Sequence, residues 1–308
     1  MTLRLRPLLV LAGLAMLPPV LAAAQLGSPV TTAPINIQAD NGIEWQQNQQ
    51  LYIARGNAVA TRGPASIKAD TLIAHYRQVK GQPAATANTE NNTEIYRIEA
   101  DGNVVITRDN RTVVGDHADY DMDQGIGIVH GQALKMTTAS DVITAKDALE
   151  WYDQKQIAVA RGDAVAVRQG GRTIKADVLT AYMVKTAPPQ PNAQPAAAKP
   201  GTPPANASAP APNSDESKID RIDAQGHAVV INGLDIGRGD YGVYNATSDI
   251  CTLLGNVTIT RGNDVITGQY AVMDLKTNIS RMMPASTLPG STRQRVQGLF
   301  LKQDATSK

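Results

Sequence analysis

Cysteine and aromatic side chains are scarce in this 308-residue chain: Cys251 is the sole cysteine, and Phe, Trp and Tyr make up only 4%. One thiol cannot form an internal disulfide, so an oxidising compartment is permitted but not exploited. It also removes zinc–thiolate sites, and none of His75, His117, His130 and His227 falls in an H-x-x-x-H spacing. With so few aromatics the interior must be filled by Val, Ile, Leu and Ala, and the β-branched members of that set suit pleated strands. Charge is low too, 19% of residues with a formal net of +1. Nothing in that balance has the basic excess of a nucleic-acid binder. There is no G-x-S-x-G elbow and no P-loop. Beyond the N-terminal leader, no window sustains the i, i+3, i+4, i+7 apolar pattern of an amphipathic helix.

The first 24 residues read as a signal peptide. Arg4 and Arg6 precede an apolar stretch from Leu8 to Leu21, and Ala22-Ala23-Ala24 supplies an A-x-A site with cleavage expected before Gln25. The stretch falls short of the ~20 residues that span a bilayer, and Pro18-Pro19 interrupts it. The alternative is a retained membrane anchor. A lipoprotein anchor is excluded, because no cysteine lies near the site. Loss of Arg4 and Arg6 turns the formal charge from +1 to −1.

Strand-like sequence runs from about residue 35 to 185 and again from 219 to 301. Residues 186–218 separate the two blocks and hold 9 of the 18 prolines. They carry no large aliphatic or aromatic residue, which predicts a disordered or polyproline-like loop. The last residues, 302–308, read as a loose tail.

Internal repetition is the strongest signal. IQADNGIEWQQNQQLYIARGNAVATRG from Ile37 is echoed by ITAKDALEWYDQKQIAVARGDAVAVRQ from Ile143. Lys68-Ala69-Asp70 is echoed by Lys175-Ala176-Asp177. RIEADGNVVI from Arg97 matches RIDAQGHAVVI from Arg221, Tyr120 matches Tyr244, and Gly131 matches Gly255. The order is A1 (35–80), B1 (95–140), A2 (141–185), proline-rich segment, B2 (219–300). Steps such as Asn41-Gly42 and Asp101-Gly102 read as turns between antiparallel strands. The spacing predicts an all-β sandwich, jellyroll or solenoid.

Aspartates recur with the repeat, which points to strand ends and turns rather than to catalysis or calcium binding. Gly56, Gly102, Gly162 and Gly255 each carry an arginine six residues on: Arg62, Arg108, Arg168 and Arg261. After Gly131 and Gly226 the same position holds Thr137 and Asn232. Stacked in register, the four guanidiniums would line one edge. Two readings stay open: a rail for phosphates of a lipid headgroup, or a solvated row that guards strand ends from aggregation. Several strands are apolar on both faces, which fits either a sandwich core or an apolar trough.

These residues together resemble the LptA/OstA family of periplasmic lipopolysaccharide-transport proteins. Pro34-Ile35-Asn36-Ile37-Gln38-Ala39-Asp40 is similar to its P-I-x-I-x-A-D opening. The G-N-A-V-A-T-R-G run from Gly56 and the G-N-V-T-I-T-R-G run from Gly255 resemble its repeated strands, and Arg295-Val296-Gln297-Gly298-Leu299 resembles its close. The resemblance implies an antiparallel β-jellyroll, open at both ends, with a hydrophobic trough for the acyl chains of lipid A. It implies an exported, non-enzymatic periplasmic bridge that uses no cofactor or metal. The implied partners are lipopolysaccharide, an inner-membrane LptC-like component, an outer-membrane LptD-like component and head-to-tail copies of the chain. The edge strands, near 34–39 and 296–299, would carry those contacts. Ile37, Ile67, Ile98, Val105, Leu134, Val165, Ile174, Ile222 and Val229 occupy matching repeat positions and are the expected trough lining. A1 plus B2 would suffice for a typical member, so B1 and A2 look like an inserted duplication. That leaves open one continuous jellyroll, ~50 Å long at ~4.8 Å per strand, or two. The other readings are a membrane-anchored relay of the same family and a structural β-solenoid adhesin.

Overall fold

The computed structural model describes residues 34–78, 93–108, 110–185, 217–284 and 295–300. The expected leader 1–24, the tail 302–308 and all but the end of the 186–218 segment lie outside these residues.

Eighteen strands follow one another: β1 (Asn36–Gln38), β2 (Ile43–Gln46), β3 (Leu51–Arg62), β4 (Ala65–Gln78), β5 (Thr93–Arg108), β6 (Arg111–Asp121), β7 (Ile126–His130), β8 (Leu134–Thr137) and β9 (Asp141–Ala145). The second half has β10 (Ala148–Tyr152), β11 (Ile157–Arg168), β12 (Thr173–Lys185), β13 (Ser217–Asn232), β14 (Asp235–Asn245), β15 (Ile250–Arg261), β16 (Asp264–Asp274), β17 (Ile279–Met283) and β18 (Gln297–Leu299). All belong to one antiparallel sheet, and no helix occurs among the described residues. Four rows are broken in two. β1 and β2 both flank β3, and β7 and β8 both flank β6; β9 and β10 both flank β11, and β17 and β18 both flank β16. At ~4.8 Å per row the stack is roughly 60 Å long. The sheet is continuous, because β10 pairs with β7 and β9 with β8. One antiparallel jellyroll therefore holds both repeats.

Each unbroken odd-numbered row bends at its middle. In β5, Gly102 (φ 78°) and Asn103 (φ 50°) both take left-handed conformations. Together they oppose the single residue Asp116 on β6, because Asp101 pairs with His117 and Val104 with Gly115. Two residues against one is a β-bulge, which bends the strand and sharpens its twist. Gly56-Asn57, Gly162-Asp163, Gly226-His227 and Gly255-Asn256 repeat the bend. A side chain at Gly102 would collide with the carboxylate of Asp70, so only glycine fits there. The expected turn at Asp101-Gly102 is thus a corner inside a strand. Some of the recurring aspartates sit at corners, while Asp121 and Asp274 end strands and Asp141 and Asp264 begin them, as expected. Asp40, Asp70 and Asp240 accept from the side-chain amides of Asn57, Asn103 and Asn256, each at 2.8 Å.

The bends fold the sheet on itself, so the two arms of every row face each other across one core. The residue after each bulge is driven inward: Ala58, Val104, Ala164 and Ala228 are 0% exposed and Val257 is 1%. Small residues let the walls approach, and large ones fit against them. Trp151 lies over Gly127, and Met273 with Leu253 over Gly237.

Candidate functional site

The inner face is a ladder of apolar side chains from the first row to the last, and strand alternation decides which residues join it. Ile37 and Ile67 both pair with the inward Ala60. Ile98, Leu134, Ile174 and Ile222 are buried in the same core. Val105, Val165 and Val229 are not on this face. Val105 pairs with Lys68, and Val165 and Val229 both pair with Lys175, so all three point outward. The expected lining is corrected at these positions. The bulge makes Val104, Ala164 and Ala228 the inward residues, and a one-residue offset reverses the face.

The four repeated arginines do share a rim. Arg62, Arg108, Arg168 and Arg261 end β3, β5, β11 and β15, where hairpins turn the chain back. The opposite ends of the rows carry turns at 122–125, 246–249 and 275–278. Because the sheet is folded over, the two rims meet and form a seam. Arg168 pairs with Asp141 (Nε–Oδ1 2.9 Å) and donates to the Tyr244 hydroxyl at 2.7 Å. That hydroxyl donates in turn to Asp249 at 2.6 Å. Arg172 donates to Asp249 at 2.8 Å and to the Leu275 carbonyl at 3.2 Å. Asn232 donates to the same carbonyl at 3.1 Å. Arg261 pairs with Asp235 and donates to the Asn278 carbonyl at 3.1 Å. In the first half Arg62 approaches the Met122 sulfur at 3.8 Å, and Arg108 is exposed. Arg168 is thus part of a half-buried network across the seam, whereas Arg261 pairs with Asp235 yet stays mostly exposed.

Burial, then the hydrogen bond to Asp249, pushes the Tyr244 hydroxyl up to about 12. The Tyr244 hydroxyl and then the Arg172 guanidinium hold the Asp249 carboxyl below its ordinary value. Beneath the seam a small recess is lined by Ala166, Ile174, Ile222, Val230 and Leu275. Sequence reading missed Arg172 and Asp249. Arg172 lies in the longer hairpin peculiar to A2, and Asp249 stands where the first half has Gly125, so neither repeats.

Outside the fold, the corner aspartates form a spine. Asp116 accepts from the Gln132 backbone at 2.9 Å and Asp177 faces His227 at 2.9 Å. The hydrogen bond to Asp177 raises the His227 pKa. No group of three or more His, Cys, Asp or Glu that could hold a metal occurs among the described residues. No helix long and apolar enough to cross a membrane occurs among the described residues.

Among the described residues both ends of the stack are open: there β1 and β2 pair only with β3, and β17 and β18 only with β16. Ile43, Trp45, Ile279 and Leu299 are exposed there.

A family model described as the LptA/LptD N-terminal domain lipopolysaccharide transport protein matches the chain twice, over residues 36–147 and 142–279. The solved structure of LptH, the LptA-homologous periplasmic component of the lipopolysaccharide transport device of Pseudomonas aeruginosa, is also similar. It shares 17% identity over 53% of this chain and 95% of that one, with a TM-score of 0.37. No curated protein matches the chain.

Proposed function

The chain belongs to the LptA/LptD N-terminal domain family of lipopolysaccharide transport proteins, and we propose that it is a periplasmic bridge along whose inner face lipid acyl chains travel. Its family transports rather than catalyses. The observation that supports the bridge is the unbroken apolar inner face, shared by both matched copies. Apolar contact is non-directional and is worth ~0.8 kcal/mol per methylene removed from water. A lipid held that way exchanges one rung for the next at little cost. The walls touch when the seam is tied, so loading requires the rims to part and the acyl chains to replace wall-to-wall contact. Arg108 and the arginines released from the seam would then face the headgroup phosphates.

The open end rows suit docking by strand addition, in which main-chain hydrogen bonds supply affinity. One end would accept an inner-membrane LptC-like domain and the other an outer-membrane LptD-like domain, with head-to-tail copies between them. A photo-crosslinking residue at Ile67, Ile98, Ile174 or Ile222 should capture lipopolysaccharide in cells. The outward positions Val105, Val165 and Val229 should not. Capture at the outward set alone would reject the inner-face route.

A further inference from the structure

We propose that successive copies of this chain join in the register its two halves already use, with Arg281 of one copy opposite Glu44 of the next. The inference rests on the head-to-tail reading above and specifies its geometry.

The junction inside the chain is the template. There β7 meets β10 with Val129 opposite Leu149, Ile128 opposite Glu150, Gly127 opposite Trp151 and Ile126 opposite Tyr152. Beside them β8 meets β9, with Leu134 opposite Ala145 and Met136 opposite Ile143. The free N-terminal row has the same build as β9 and β10. Ile43 and Trp45 pair with Ala54 and Tyr52 on β3, as Leu149 and Trp151 pair with Ala160 and Ala158 on β11. The free C-terminal row has the build of β7 and β8. Met282 and Ser280 pair with Ala271 and Met273, as Val129 and Gly127 pair with Ala118 and Tyr120.

Laid on the template, the two free rows place Met282 opposite Ile43, Arg281 opposite Glu44, Ser280 opposite Trp45 and Ile279 opposite Gln46. Gly298 falls opposite Ile37 and Val296 opposite Ala39. The inner face keeps the feature of the internal junction in which the tryptophan meets a small residue, beside larger pairs such as Val129 with Leu149. Gly127 against Trp151 becomes Ser280 against Trp45, and Gly298 meets Ile37. Ser280 is tolerated because Trp45 is folded back onto its own wall. Its ring lies 5.8 Å from that of Tyr52, and its Nε1 donates to the Tyr76 hydroxyl at 2.7 Å. Ile43 at 49%, Trp45 at 56% and Ile279 at 52% exposure are the apolar surface such a joint would cover.

On the outer face the template has Ile128 opposite Glu150, whereas the free rows set a guanidinium opposite a carboxylate. Arg281 and Glu44 are both exposed, and Glu44 also pairs with Arg55 of its own copy at 3.0 Å, as Glu150 pairs with Arg161 in the template. Directly opposed charges on one face of an antiparallel pair attract, and like charges repel. A slip of one residue would lose that pair and turn the apolar face outward.

The test uses the full mature chain with Glu44→Arg and Arg281→Glu, read by sedimentation over a concentration series. A Trp151→Phe background leaves Trp45 as the sole tryptophan, so its emission reports the joint directly. Each inversion alone should weaken association about fivefold or more. An equimolar mixture of the two variants should associate as wild type does, because each end then meets its opposite charge. A wild type that stays monomeric throughout rejects the head-to-tail reading and the register with it. A wild type that elongates while either single variant elongates equally, or a mixture that fails to recover, rejects the register alone.

Discussion

Asp249 matters more to the seam than its place in a short surface turn suggests. Its left-handed backbone (φ 58°) ends the turn and aims its carboxylate at the facing rim, where Tyr244 and Arg172 both donate to it. Because its folded-state pKa lies below the ordinary 3.8, the carboxylate stabilises the fold fully above that value. The contribution is lost as pH falls through the lower, folded pKa. Asp249→Asn should therefore melt below wild type at neutral pH, by about 1–2 kcal/mol for hydrogen bonds to a charged group. The gap should close in acid. Thermal melts from pH 7 down to pH 2 check this, and a gap that widened in acid would contradict the assignment. Half of this site was legible in the sequence. Tyr244 and Arg168 repeat Tyr120 and Arg62, but Asp249 has glycine as its counterpart. The side chains it binds are distant in the chain, and nothing in the local pattern brings them together. The misplacement of Val105, Val165 and Val229 has a related cause. Apolar residues fill both positions after the bulges at Gly102, Gly162 and Gly226, so composition could not choose between Val104 and Val105, and only the backbone of Gly102-Asn103 does.

Elements were more readable than contacts. The A and B units, their order and the glycine positions are plain in the sequence. Their meaning was less so, because an Asx-Gly or Gly-Asx step serves a hairpin turn or a bulged corner equally well. What separates the two is the partner. Gly56, Gly102 and Gly255 each approach an aspartate or asparagine on the neighbouring row, whereas Gly63 and Gly262 end rows and meet nothing. The pairing of β12 with β13 continues to Lys185 opposite Ser217. The two strands themselves therefore set the register of that hairpin, whatever joins them. Replacing residues 186–216 by a four-residue turn like that at 246–249 should leave the fold intact. Loop closure costs ~0.6 kcal/mol per doubling of length, so the shorter joint should stabilise by ~1–2 kcal/mol. Calorimetry should show an unchanged or slightly higher Tm. A fall of more than about 5 °C would show that the segment contributes contacts to the body.

At the scale of the whole molecule, two family copies share one core, and the duplication visible in the sequence left open whether they would. The answer lies in the junction, where β7 and β8 meet β10 and β9 in unbroken antiparallel register. Val129, Leu134, Ile143 and Leu149 are buried there. The chain crosses this plane only once, through the turn after Thr137, where Thr138 and Asp141 exchange a backbone hydrogen bond of 2.9 Å. Few contacts depend on that turn, whereas the rows on either side pair along their length and interlock at Gly127 and Trp151. Fragments 25–139 and 140–308, co-expressed in the periplasm, should therefore assemble into a 1:1 complex whose melting temperature rises with concentration, as linkage of folding to association requires. Gly127→Leu in the first fragment should abolish assembly, because even a Cβ at that position collides with the Trp151 ring. If the fragments instead stay apart in solution as two stable monomers, each half closes its own core. The continuous inner face would then be an arrangement of the intact chain only, and the junction could not serve as a template for joining one copy to the next.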